Sequence, residues 1–205
     1  MVIFNVIVSC TAATKFRVFF AVIFVIVFAV SAVRVLFIAK TVYDDPVAEF
    51  IHATTTTAGA RLMEIGEGDD LNQKIREAYP EAKVIATNIP GISATLNPDT
   101  VTEAQELERT DVGVVRGTVG VAENACVWIP QTMKERAVCF MAEYLVILVS
   151  RKDIVSNMHE AYRKIEFTDY GFGTFISGPS KTADIEQALV YGAQAARGVT
   201  VMLMP

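Results

Sequence analysis

Residues 174–203 limit the fold more than any other stretch. Thr174-Phe175-Ile176 is a short apolar run with β-branched and aromatic members, as a buried strand needs. Gly178-Pro179 breaks that run. Ser180 and Thr182 are residue types that cap a helix by accepting from its free N–H groups, and Asp184 and Glu186 suit a first turn. Ala183, Ile185, Ala188, Leu189 and Ala193 continue at helical spacing, and an apolar strand over 199–203 follows Gly198. The spacing therefore predicts strand, turn, helix and strand, the unit of a parallel sheet. Ligands of open α/β sheets bind at the carboxyl ends of the strands. That makes 177–182 the first place to look for a site.

The middle of the chain repeats the alternation. Asp44-Asp45-Pro46 reads as a helix start, with Val47, Phe50, Ile51 and Ala58 on its apolar face and Gly59 at its end. The pattern then predicts a strand over 61–65, a helix over 71–79 and a strand over 83–87. A polar surface helix over 102–109 and a strand over 111–115 follow, with a turn at 117–120. Strands over 125–129 and 144–149 precede an amphipathic helix over 153–165, with Ile154, Met158, Ala161 and Ile165 on one face. Strands alternating with helices argue for a layered α/β domain. No internal repeat or low-complexity linker follows residue 43.

Composition divides the chain. Residues 1–43 contain no Asp or Glu, and their only charges are Lys15, Arg17, Arg34 and Lys40. The remaining 14 of 18 basic residues and all 23 acidic ones follow, so the body carries 14 − 23 = −9. Residues 18–39 form a 22-residue, mostly apolar stretch, long enough to span a bilayer. Lys15 and Arg17 lie on its N-terminal side, as on the cytoplasmic flank of a span. A signal peptide also fits, with small residues at Ala29, Ser31 and Ala32. A leader not native to the domain and a buried β-hairpin remain open beside these. The expected division is an apolar leader over 1–43 and an α/β domain over 44–205. The chain is expected in the cytoplasm, or at a membrane through residues 18–39.

Several function classes drop out. A formal net charge of −5 gives no basic footprint for nucleic acid. Cys10, Cys126 and Cys139 are odd in number and widely spaced, with no C-x-x-C, so no zinc ribbon or ferredoxin-type cluster is encoded. Buried apolar packing is the plain reading of these thiols. His52 and His159 are far apart, which argues against a His-rich metal site. G-x-S-x-G, H-E-x-x-H and G-x-G-x-x-G are all absent, and no cofactor is expected.

Three features retain chemical interest. Ser177, Gly178, Ser180, Lys181 and Thr182 offer turn N–H groups, hydroxyls and one cation where a helix is expected to start, which makes an anion cradle by type. A purely structural cap is the competing reading. Glu123 is a lone acid in a neutral stretch just before a strand, where desolvation raises a carboxyl pKa and fits it as base or nucleophile. An exposed turn carboxylate is the bland alternative. His159, in Asn157-Met158-His159-Glu160, has the right chemistry for a general base near neutrality, although a lone helical histidine is more often a surface residue.

Residues 176–186, Ile-Ser-Gly-Pro-Ser-Lys-Thr-Ala-Asp-Ile-Glu, resemble the signature of the LUD-domain family. Residues 110–124 resemble that family's second motif, and Trp128, Pro130 and Gln131 match its Trp-Ile-Pro-Gln stretch. Many members carry a Thr-Gly-like pair after the acid, where this chain has Asn124-Ala125. The resemblance runs from about Asp44 to Met204. It implies a three-layer α/β/α fold with a mainly parallel sheet, similar to the sugar-phosphate isomerase and CoA-transferase group. It also implies a part in oxidising L-lactate to pyruvate, as an accessory subunit beside two iron–sulphur partner proteins. A stand-alone enzyme for a phosphorylated or CoA-linked small molecule is the alternative, with Glu123 as base or nucleophile and Ser180 and Thr182 holding the anion.

Overall fold

The computed structural model describes residues 41–166, 171–185 and 188–205. The leader reading over 18–39 lies outside the described residues. By contact density the chain divides into Met1–Thr41 and Val42–Pro205, and the second unit is described below. Among the described residues no helix is long and apolar enough to cross a membrane.

Helix α1, Pro46–Thr56, starts as its sequence requires. The Asp45 carboxylate accepts from the N–H groups of Val47 and Ala48, each at 3.0 Å, and Pro46 occupies the first turn, where no N–H is needed. Strand β1 is Arg61–Glu64, helix α2 is Leu71–Ala78 and strand β2 is Ile85–Ala86. Strands β3 (Val112–Arg116), β4 (Val119–Val121) and β5 (Cys126–Pro130) follow. Next come the short helix α3 (Val138–Met141), β6 (Tyr144–Ser150), β7 (Ile154–Val155) and α4 (Met158–Lys164). The chain closes with β8 (Gly173–Ile176), β9 (Lys181–Ile185), β10 (Ala188–Tyr191) and β11 (Gly198–Met204).

Five strands form a wholly parallel sheet in the order β1-β11-β6-β3-β2. Its central strands are near-continuous runs of Val, Ile and Leu because both faces are covered. Leu145, Ile147 and Val149 of β6 pack with Val201 and Leu203 on one face, against Phe50 of α1 and Val138 of α3. Val146 and Leu148 point the other way, into a cluster with Met202 and Ile75 of α2. Helices on both faces of a parallel sheet make this an α/β fold. A second sheet, in the order β7-β4-β5-β8, stands on the α1 side. Val127 and Ile129 of β5 join the α1 cluster, while Cys126 and Trp128 pack with Ala161 of α4.

The C-terminus departs from the expected strand–helix–strand. Strand β8 does not enter the parallel sheet; it pairs antiparallel with β5, Trp128 opposite Phe175. No helix begins at Ser180. Residues 181–185 and 188–191 form the antiparallel pair β9–β10, with Val190 opposite Thr182 and Tyr191 opposite Lys181. Thr182, Ile185, Val190 and Tyr191 are residues that favour strands, and their pairing outweighs the helical spacing of the alanines. The long helix expected over 153–165 is shortened for a related reason. Ile154-Val155 pairs with β4, and Asn157 caps a helix that starts only at Met158. The turn expected at 117–120 is partly strand, since Val119–Val121 pairs with β5.

Candidate functional site

The polar groups gather where the second sheet meets the start of α4. Beyond Val121, the N–H groups of Ala122 and Glu123 donate to the carbonyls of Val155 and Ser156, at 2.9 and 3.1 Å. This extends the β4–β7 pairing and fixes Glu123 beside the N-terminus of α4. Glu123 is half-buried, and its Oε1 accepts the Met158 N–H at 2.8 Å. A carboxylate there satisfies a free helix N–H and meets the positive end of the helix dipole. Its second oxygen has no hydrogen-bond partner among the described residues.

The surrounding bonds hold that carboxylate in place. Asn157 accepts from the Glu160 N–H at 3.1 Å, and Glu160 accepts from the Ser156 N–H at 3.0 Å. This is a capping box shifted by one donor. The Ser156 hydroxyl accepts the Tyr43 N–H at 3.2 Å, which brings the segment leading into α1 to the same place. The Tyr43 phenol is raised above its usual pKa, first by partial burial and then by the negative fields of Glu49 and Glu123. Two acids and a phenol therefore share one neighbourhood.

Of the five residues expected to cradle an anion, the structure brings Ser177 to this place, while Gly178 turns against the Ala58 carbonyl. The Ser177 hydroxyl donates to the Asn124 carbonyl at 2.7 Å, so it touches the loop that carries Glu123. The other three are engaged elsewhere. Lys181 Nζ donates to the Ala58 carbonyl at 2.6 Å, just past the end of α1. There a cation meets the negative end of the helix dipole. The Ser180 N–H donates to Ala196 O, Ser180 O accepts from Gly192, and Thr182 sits in the β9–β10 pair. His159 is exposed on the first turn of α4, one residue beyond the N–H that Glu123 accepts.

The LUD domain family model matches residues 100–204, just over half of the chain. The chain belongs to the LUD domain family. Over 109 residues it is 32% identical to "Lactate utilization protein C" of Shouchella clausii (strain KSM-K16). That match covers 50% of this chain and 48% of the relative, so the chain spans about half the length of the curated relative it matches. The crystal structure of a DUF162 family protein from Deinococcus radiodurans is similar in fold, with a TM-score of 0.57 at 16% identity. It covers 78% of this chain and 98% of that one.

The matched LUD segment holds Glu123, His159 and Ser177, whereas Tyr43 and α1 lie before it. At the place where many members carry a Thr-Gly-like pair, this LUD domain has Ala125 with φ 53°. That is the left-handed region glycine enters without strain. Here an alanine holds that conformation in the turn. Asn124 supports it, its side chain accepting the Cys126 N–H at 3.2 Å.

The two described thiols are packing groups. Burial pushes Cys126 and Cys139 up to about 12 each, and the Cys126 Sγ lies 3.4 Å from the Met158 sulphur. Among the described residues no group of three or more His, Cys, Asp or Glu could hold a metal ion. Because a thiolate is the reacting form, neither thiol should react while the domain is folded. Iodoacetamide at pH 8 is expected to leave Cys126 and Cys139 unmodified, by peptide mass mapping, until denaturant is added. Labelling of Cys126 in the native state would show that its pocket opens to solvent.

Sequence reasoning missed Tyr43, Ser156 and Glu160. The signal for the last was present as Asn157-x-x-Glu160, a capping pattern. Tyr43 carried none, because its bond to Ser156 closes 113 residues of chain.

Proposed function

We propose that this LUD domain acts in lactate utilisation, in the cytoplasm, as an accessory component beside iron–sulphur partner proteins. The observation that carries the reading is the 32% identity to lactate utilization protein C over 109 residues, together with the LUD domain match over the segment that holds Glu123, Ser177 and the α4 N-terminus. Oxidising lactate to pyruvate releases two electrons and two protons. The thiols of Cys126 and Cys139 are buried and protonated, so in this reading the partners' clusters take the electrons. This chain supplies binding and proton handling.

The polar end beside α4 is where such handling would occur. Glu123 has one oxygen held by Met158 and one without a partner among the described residues, which suits a proton acceptor facing a bound hydroxyl. Ser177, bonded to the Asn124 carbonyl, is the nearest of the anion-cradle residues, and its turn would meet a carboxylate or phosphate. His159 stands at the rim as a second proton carrier. A stand-alone enzyme acting on a phosphorylated or CoA-linked molecule would use the same carboxylate. The half-buried position of Glu123 beside Tyr43 keeps that second reading.

L-lactate-dependent dye reduction by the two iron–sulphur partners, with and without this chain, tests the proposal. Activity is expected only when the chain is present. Glu123→Gln keeps the shape but removes the proton acceptor. It is expected to lower the rate at least about tenfold, within the usual range for a lost acid–base group, with thermal unfolding shifted by only a few degrees. Dye reduction that is indifferent to the chain removes the lactate role; a full rate in Glu123→Gln removes the base.

A further inference from the structure

A second place in the fold has the marks of a ligand site, away from Glu123. It lies where β5 ends and the chain approaches β8, between residues 131–136 and 171–172. The groove there is open to solvent, with a volume of about 580 Å³. A three-carbon acid would fill only a small part of it.

Gln131 is the feature that points to a ligand. The residue is 8% exposed, and both amide atoms, Nε2 and Oε1, are buried with no hydrogen-bond partner among the described residues. Buried amides are nearly always paired, and an unpaired one asks for a reason. Nothing in the fold needs a polar side chain there: the Gln131 backbone N–H already donates to Phe172 O at 3.0 Å, and that bond sets the strand approach. The amide offers one donor and one acceptor side by side. Their complement within one ligand is an edge that also carries a donor beside an acceptor. The N6/N7 edge of adenine is such an edge, and glutamine reads it in a bidentate fashion.

The other walls fit the rest of a nucleotide. Phe172 is 43% exposed, which offers a ring surface on which a base stacks. The Arg136 guanidinium lies 5.2 Å from its centroid. Lys134 is anchored by its N–H to Asp99 and by one ammonium hydrogen to Val101 O, and it keeps two further donors. Glu135, the acid of the lining among the described residues, accepts from the Ala137 N–H, and the Asp99 carboxylate accepts from the Lys134 N–H, so both are held to backbone. With both carboxylates bound to backbone N–H groups, the Arg136 guanidinium and the remaining Lys134 donors are the groups that meet a phosphate.

We propose that the cavity between residues 131–136 and 171–172 binds an adenosine 5′-phosphate group. The base stacks on Phe172 and pairs with the Gln131 amide, and the phosphate lies against Arg136 and Lys134. Both amide atoms are shut off from solvent in the structure, so binding requires the Gln131 side chain to turn toward the groove. The ligand then satisfies a donor and an acceptor that the protein leaves unpaired. The site is independent of the lactate reading, because none of its residues belongs to the Glu123 cluster.

Calorimetric titration of AMP into the full chain tests this, with ribose 5-phosphate as the probe that lacks the base. AMP is expected to bind saturably and at least about tenfold more tightly than ribose 5-phosphate. Gln131→Met, which keeps the volume without polar atoms, is expected to weaken AMP about tenfold and leave ribose 5-phosphate unchanged. Phe172→Leu, at an exposed position, should weaken AMP alone, and Arg136→Gln should weaken both probes. NAD binding more tightly than AMP would assign the cavity to the adenylate end of a larger nucleotide. The proposal is overturned if AMP shows no saturable binding up to about 10 mM. It is equally overturned if both probes bind alike, or if Gln131→Met and Phe172→Leu bind AMP as the parent does.

Discussion

Gly173→Ala is expected to destabilise the domain by about 3 kcal/mol, the upper part of the range for overpacking a tight contact. For a body of this size that lowers the thermal midpoint by roughly 6–12 °C. Gly173 is the first residue of β8, opposite Pro130, and the Trp128 ring lies across it. A Cβ at Gly173 would stand 2.6 Å from Trp128 Cη2 and 2.7 Å from Cε2. The ring has no easy retreat. It is 6% exposed, and its centroid is 4.9 Å from that of Phe175, which in turn meets Tyr162 of α4 edge-on at 5.7 Å. Trp128 is the one tryptophan of the chain, so its fluorescence reports directly on this contact. The variant should show a red-shifted emission before any unfolding begins. Gly171→Ala is the control, since a Cβ there meets nothing within 4 Å, and it should change stability by less than about 0.5 kcal/mol. Equal midpoints for the two variants would show that Trp128 does not press on β8.

Where the sequence was legible, one residue type did one job. Tyr144–Ser150 and Gly198–Met204 read as strands because a parallel strand covered on both faces needs apolar residues in both directions. The start of α1 was legible because its cap is local, Asp45 reaching residues only two and three positions ahead. The C-terminal hairpin was not. Ala183, Ile185, Ala188 and Leu189 fit helical spacing, yet residues 182, 185, 190 and 191 favour strands, and a short run does not decide between the two. The site shows the same division. Glu123 stood out as a lone acid, but its bond to Met158 spans 35 residues and follows from the β4–β7 pairing. Lys181 looked like an anion ligand because its distant partner, the Ala58 carbonyl 123 residues earlier, leaves no mark on the local sequence. Gln131 was visible in its motif, and only its burial gave it a chemical meaning.

Gly178→Ala is expected to be the costlier of the two glycine changes, at about 3–5 kcal/mol when left-handed strain and a backbone clash are combined. Gly178 has φ 65°, a conformation an L side chain adopts only under strain. A Cβ there would also press directly on the Ala58 carbonyl oxygen and stand 2.9 Å from its carbon. Backbone that closes a helix end cannot yield as a side-chain tip does. The same carbonyl accepts the Lys181 ammonium, so one atom past α1 fixes both the turn after β8 and the start of β9. Lys181→Met removes only the charge-assisted bond and should cost about 1–2 kcal/mol. The double variant should then cost less than the sum, because both changes act on one carbonyl. Gly68→Ala separates the two causes: Gly68 has φ 93°, and a Cβ there would meet nothing within 4 Å. It should show the strain alone, about 1–2 kcal/mol. Matching losses at Gly68 and Gly178 would show that the Ala58 contact is soft. A larger loss at Gly178 would carry a functional consequence as well. The Ser177 hydroxyl, one residue earlier, holds the loop that carries Glu123. Displacing the turn should therefore lower any Glu123-dependent rate at temperatures where the variant is still fully folded.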